Sequence, residues 1–209
     1  MGINYWDTAY ESGHVPWDPG PYDGHVPRLV RDLSIEPCRV VDIGCGAGGT
    51  LIWLAEAGFD CTGIEIAPAA VRLAKETAKK RGVACTWLLH RFPNAVNERA
   101  LEPRSFDLAI DRGVFHLHTS RAEQDDFVAG VAQALRGDGL WYSLLASSKR
   151  GSAYGGPPRW SEREIRRAVE PAFEILRIED SVFTPGEEGS MAAWVCVMRK
   201  RAAGRQPAH

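Results

Sequence analysis

Residues 39–49 read RVVDIGCGAGG, an apolar β-branched run that ends in an acid, Asp42, and breaks into four glycines, Gly44, Gly46, Gly48 and Gly49. Arg39 to Ile43 has the composition of a buried strand. Glycines there let backbone amides come close to a ligand and allow positive φ. The stretch Gly49 to Ala57 then reads as a helix, with Gly58 as its stop. Strand, glycine turn and helix in that order open the ligand crevice of a doubly wound α/β sheet.

The pattern continues outward. Cys61–Ile66 reads as a second strand, Pro68–Arg81 as a helix closed by Gly82, and Val83–Leu89 as a third strand. Arg91–Arg104 is a polar connection and Phe106–Ile110 a fourth strand. Ser120 and Glu123 form a capping box opening a helix to about Leu135, and Gly139–Ala146 is a fifth strand. A second capping box, Ser161 with Glu164, opens a short helix. Phe173–Phe183 and Met191–Arg199 then alternate like strands, with only Thr184–Ser190 between them. A parallel crossover needs a dozen or more residues, so this pair must be an antiparallel hairpin. The expected architecture is α/β and Rossmann-like: a mostly parallel seven-stranded sheet with a C-terminal antiparallel hairpin. One domain covers residues 1–200, with an N-terminal helical lid segment (1–36), a core (37–200) and a disordered tail (201–209).

Composition narrows the function. The 209 residues are 44% hydrophobic with a formal charge of −2, which suits a globular core and gives no basic field for nucleic acid. No apolar run reaches the ~20 residues of a membrane span. The N-terminus has Asp7 and Glu11 and lacks a signal-peptide core, and Trp6 replaces the small hydroxyl residue of a myristoylation site. The five cysteines are odd in number and form no CxxC pair, so they read as reduced thiols of a cytoplasmic protein with no metal site.

The acid before the glycines separates the candidate ligands. A dinucleotide would place a pyrophosphate at the helix N-terminus. Asp42, at the mouth of that turn, would repel it and would favour a ligand carrying an ammonium and a sulfonium. Glu65, ending the second strand, can hold ribose hydroxyls in either case.

These residues resemble class I S-adenosylmethionine-dependent methyltransferases, whose acid-then-glycine loop and later strand acid bind the cofactor. More narrowly, the chain is similar to the thiopurine S-methyltransferase family. The resemblance rests on the spacing of Trp6, Tyr10 and Trp17, on Asp111-Arg112-Gly113 after the fourth strand, and on Gly155-Gly-Pro-Pro158 leading through Trp160 into the helix at Ser161. It covers most of residues 5–200. It implies a class I methyltransferase fold, S-adenosylmethionine as methyl donor and S-adenosylhomocysteine as product. It assigns cofactor contacts to Trp6, Tyr10, Trp17, Asp42, Gly44, Cys45, Gly46, Gly48, Glu65, Ile66 and Asp111. The chain departs from the wider class at the end of the third strand. The usual adenine-binding acid is absent from Leu89-His90-Arg91-Phe92, so His90, Arg91 and the backbone near Phe92 take that side.

Methyl transfer from a sulfonium is an in-line displacement with a neutral leaving group, so alignment and exclusion of water carry most of the catalysis. Trp17 is placed to face the sulfonium by cation–π attraction, under a lid formed by residues 4–24. The resemblance puts Arg112 beside the acceptor, where a cation raises the thiolate fraction of a thiol, and Asp111 at the donor methionine or the reaction centre. The expected acceptor is a small thiol, thiopurine-like or selenium compound. The alternatives are O- or N-methylation of a phenolic, quinone-like or amine metabolite, for which His116 or His118 offers a base, a nicotinamide oxidoreductase, and a catalytically silent cofactor-binding regulator. The enzyme is expected as a monomer or homodimer with no nucleic-acid or membrane partner.

Overall fold

A computed structural model describes residues 2–18, 24–149, 156–184 and 190–202. Seven strands form one sheet: β1 (Arg39–Ile43), β2 (Asp60–Glu65), β3 (Thr86–Leu89), β4 (Phe106–Arg112), β5 (Leu135–Ala146), β6 (Phe173–Val182) and β7 (Ala192–Lys200). Their order is β3-β2-β1-β4-β5-β7-β6. The first five run parallel, and β7 inserts between β5 and β6, antiparallel to both. The mostly parallel Rossmann-like sheet and its terminal hairpin are as the sequence implies.

Helices α1 (Ile3–Ser12), α2 (His25–Asp32), α3 (Gly49–Glu56), α4 (Pro68–Arg81), α5 (Asn94–Asn97), α6 (Arg121–Ala134) and α7 (Glu162–Val169) accompany the sheet. Both expected capping boxes form, Ser120 with Glu123 and Ser161 with Glu164. Side chains of a strand alternate between faces, and here both faces are covered. On β5, Trp141 and Leu145 join one core cluster with Phe115, Phe127 and Trp194, while Tyr142 and Leu144 join the other with Leu51, Leu54 and Ile110.

Three boundaries differ from the sequence reading. β5 begins at Leu135, directly after α6, because Gly137 and Gly139 lie inside the strand and mask its periodicity. A side chain at Gly139 would stand 2.9 Å from Leu135 and 3.2 Å from the Asp107 carbonyl, so the glycine is a packing requirement. The polar connection 91–104 contains the short helix α5. The chain stays anchored at Arg201, whose Nε donates to the Glu170 and Phe173 carbonyls at 3.0 and 3.2 Å. The rest of the expected tail from residue 203 lies outside the described residues, as do Tyr154, Gly155 and residues 185–189.

Candidate active site

The glycine loop sits where β1 hands over to α3. Gly44, Gly46 and Gly48 have φ of 71°, 54° and 80°, a region that disfavours any side chain. Crowding adds to this: a Cβ on Gly46 would lie 2.4 Å from the Tyr10 hydroxyl, and one on Gly48 2.5 Å from the Trp87 ring. Cys45 turns its thiol beneath the loop, where a Cβ on Gly63 would meet the sulfur at 2.6 Å.

Two buried carboxylates flank this loop. Asp42 is 5% exposed on β1, in register with Gly63 of β2 and Ile110 of β4. Glu65 ends β2 and reaches across to accept the Gly46 amide at 3.1 Å, while its other oxygen accepts the Ile66 and Ala67 amides at 2.7 and 2.9 Å. Burial pushes its carboxyl pKa up, and the three amides oppose that shift. A pair of buried acids beside a glycine turn suits a cationic, hydroxyl-rich ligand and disfavours a phosphate.

The N-terminal helix closes over this end of the sheet. Trp6, Tyr10 and Trp17 come together: Trp17 packs edge-on against Trp6 at 5.0 Å and against Tyr10 at 6.4 Å. Tyr10 is buried against Ala67, Ala69 and Ala70, and burial raises its hydroxyl pKa. Asp7, which the sequence reading passed over, accepts the Ala69 amide at 2.7 Å. The α4 N-cap is Ala67, which brings no capping side chain, so an acid 62 residues away satisfies an orphan N–H. That missing local cap was the available signal.

On the adenine side expected from the resemblance, the His90 amide donates to the Glu65 carbonyl at 2.9 Å and its Nε2 lies 3.2 Å from Glu98. Arg91 is exposed. The Phe92 ring packs in the core 5.0 Å from Phe127, so its side chain is structural.

β4 carries the two residues expected to be catalytic, and they diverge. Asp111 is fully buried. It accepts the Val114 and Phe115 amides at 3.3 and 3.0 Å and the Trp141 indole N–H at 2.9 Å. Burial lifts its pKa to about 6. It therefore braces the turn after β4. Arg112 points the other way. It donates to the Trp17 carbonyl and, at 3.0 Å, to the Phe183 carbonyl, with its guanidinium 5.4 Å from the centre of the Phe183 ring. It ties Trp17 to the end of β6. Nearby, His25 at the start of α2 contacts the Val182 carbonyl at 2.9 Å.

His116 is 3% exposed, and its Nδ1 accepts the Ala146 amide at 2.9 Å. Burial lowers its pKa to about 4. The Trp160 indole donates to its carbonyl at 3.3 Å. His118 lies against Phe127 at 5.0 Å, and burial lowers its pKa too.

A cleft of about 630 Å³ opens at the amino ends of β1 and β4, lined by residues such as Arg39, Asp60, Asp107 and Arg136. Its charges pair with one another, Arg39 with Asp60 and Arg136 with Asp107. Ligands of open α/β sheets bind at the carboxyl ends, so this groove is not the active site.

Residues 40–139 match the model of a methyltransferase domain. The chain is 29% identical over 165 residues to 2-heptyl-1-hydroxyquinolin-4(1H)-one methyltransferase of Mycobacteroides abscessus, a match covering 77% of this chain and 69% of the relative. Five other curated relatives are each spanned over less than half of their length. The fold is shared with a structure solved for the conversion of a disulfide bond into a thioacetal group during echinomycin biosynthesis, with a TM-score of 0.78, 20% identity and coverage of 96% and 93% of the two chains. It is shared equally with Burkholderia thailandensis 1,6-didemethyltoxoflavin-N1-methyltransferase, solved with its substrate and S-adenosylhomocysteine: TM-score 0.75, 20% identity, coverage 95% and 87%. Sheet order, acid-flanked glycine loop and domain match together identify the chain as a class I S-adenosylmethionine-dependent methyltransferase.

Proposed function

We propose that the enzyme methylates a small acceptor that ionises without help from a protein base, with a thiol, thiopurine-like or selenium compound as the first reading. The carrying observation is that Asp111 and His116, at the end of β4 and in the turn after it, already have acceptor atoms engaged. Asp111 is bonded by two amides and an indole, and His116 spends its Nδ1 lone pair on the Ala146 amide. Arg112 is a cation tied to two carbonyls. A thiol with a pKa near ~8.5 needs no base to supply a useful thiolate fraction at neutral pH. A second reading, an acidic hydroxyl on a heteroaromatic ring, is favoured by the mycobacterial relative that acts on a 1-hydroxyquinolinone.

In this reading Asp42 and Glu65 hold the polar groups of S-adenosylmethionine, the amides of the Gly44–Gly48 turn line it, and His90 and Arg91 flank the adenine side. Trp6, Tyr10 and Trp17 cover it and exclude water. The bound cofactor supplies an electrophilic methyl group on a sulfonium. The chain's part is to align that group with the acceptor and to keep Trp17 over it through Arg112, which makes Arg112 a positioning residue. The test is methyl transfer to a panel of thiols, selenols, 1-hydroxyquinolinones, phenols and amines. Turnover should fall steeply as the acceptor pKa rises above neutrality. Preferred turnover of weakly acidic phenols or aliphatic amines, or its collapse in His118→Asn, would overturn the reading by revealing a base.

A further inference from the structure

The ring of His116 has a fixed hydrogen-bonding polarity. A backbone amide can only donate, so the 2.9 Å contact from Ala146 makes Nδ1 an acceptor with no proton. In the neutral imidazole the proton must then sit on Nε2. Protonation to the cation would put a hydrogen on Nδ1, head-on to the Ala146 N–H. The packing holds this state: the side chain is buried, its own carbonyl is bonded by Trp160, and its ring is edge-on to Phe183 at 5.8 Å. His118 disfavours its positive form further, Arg112 lies behind Phe183, and Asp111 is turned into the core.

Nε2 has no partner among the described residues, and it borders a gap left by a glycine. A Cβ on Gly113 would stand 3.8 Å from Nε2, 3.5 Å from Cε1 of the same ring and 3.4 Å from Phe183. Gly113 has φ of 78°, which the Asp111-Arg112-Gly113 turn requires. Thus a fixed N–H, an aromatic edge and a bare backbone converge one residue beyond Arg112, on the side where the lid meets the end of β6.

We propose that His116 is a hydrogen-bond donor, and not a base, at the acceptor subsite: its Nε2–H binds the anionic sulfur or oxygen of the acceptor, with Gly113 and Phe183 forming the wall. This deepens the proposed function, since it assigns the residue that selects an ionised acceptor.

The experiment is nitrogen-15 NMR of the full-length protein, with and without S-adenosylhomocysteine and 4-nitrothiophenol, alongside steady-state kinetics of two variants. The ligand-free protein should show a protonated Nε2 and a bare Nδ1 between about pH 5 and pH 8, and the thiolate should move the Nε2–H signal. His116→Phe should lower kcat/KM for thiolate acceptors by about 10- to 100-fold, as expected for a lost charge-assisted hydrogen bond. It should shift the acidic limb of the pH profile toward higher pH and leave S-adenosylhomocysteine affinity unchanged. His116→Gln, which keeps a donor near the Nε2 position, should recover most of the loss. A proton on Nδ1, an imidazolium at pH 7, or a His116→Phe enzyme with unaltered rate and pH limb would overturn the inference. The tautomer is read without any acceptor, so absence of turnover on every compound would defeat the proposed function while leaving the donor assignment to be judged by the spectrum.

Discussion

The two halves of the crevice are built from contacts of very different span. On the cofactor side, Glu65 reaches amides 1, 2 and 19 residues away. On the acceptor side, Arg112 joins residues 95 and 71 positions distant, His25 meets Val182 across 157, and Trp160 meets His116 across 44. The first set joins the turn after β1 to the end of β2, elements close in sequence, with the N-terminal helix reaching in through Asp7 and Tyr10. The second exists only when the N-terminal lid, β4, β5 and β6 have all docked. In the proposed function, donor binding draws mainly on contacts between neighbouring elements and acceptor choice on contacts between distant ones.

The largest effects are expected at Asp111 and His116, whose ionisations change stability in opposite directions with pH. Asp111 has a folded pKa of about 6 against 3.8 unfolded, so its contribution to stability is present below pH 4 and lost as pH rises to about 6. His116 has a folded pKa of about 4 against 6.5, so stability is lost as pH falls from 6.5 to about 4. Each amounts to about 3 kcal/mol, and in the intact enzyme they nearly cancel. Asp111→Asn should cost about 2–4 kcal/mol near pH 4 by setting an amide N–H against the Val114, Phe115 or Trp141 donors, and less at neutral pH, where it also removes a buried charge. Relative to wild type, its stability should rise with pH between 4 and 6.5, while that of His116→Gln should fall over the same range. Urea unfolding across pH checks both signs, and parallel slopes would show that the two sites are not poised against each other.

Smaller perturbations sharpen the division. Glu65→Ala should weaken S-adenosylhomocysteine binding by about 100-fold, the scale of losing hydrogen bonds to a charged group, and calorimetry reads it directly. Arg112→Ala should reduce kcat by about 10-fold with a lesser effect on cofactor affinity, since it frees the Trp17 carbonyl but leaves Asp42 and Glu65 in place. An unchanged kcat would remove the latch from the mechanism. Ser161→Ala, at the N-cap of α7, should cost only about 1 kcal/mol through the lost cap, read as a small drop in Tm.

The same contrast explains what could be read from the chain alone. The strand at Arg39–Ile43, the glycine turn, both capping boxes and the terminal hairpin are legible because periodicity and turn chemistry act over a few residues. Hydrogen bonds between distant elements leave no such trace. The sequence puts Asp111 and Arg112 at the end of β4, but nothing in it shows that strand alternation sends their side chains to opposite sides and buries the acid beside Trp141. Nothing local says that the Phe92 ring fills the core beside Phe127. The roles of Asp7, His25 and Phe183 were invisible because each serves a partner more than 60 residues away.

In the proposed function, the two buried carboxylates Asp42 and Glu65 tune the crevice behind β1 to a cationic sulfur donor. Calorimetric titration of S-adenosylmethionine, S-adenosylhomocysteine and NAD into the wild type and Asp42→Asn tests it most directly. The account predicts one site per chain for the adenosyl-sulfur compounds, no heat with NAD, and an affinity about 10- to 100-fold lower once the Asp42 charge is removed. Tight NAD binding, or an Asp42→Asn protein that binds S-adenosylmethionine as well as the wild type does, would contradict it.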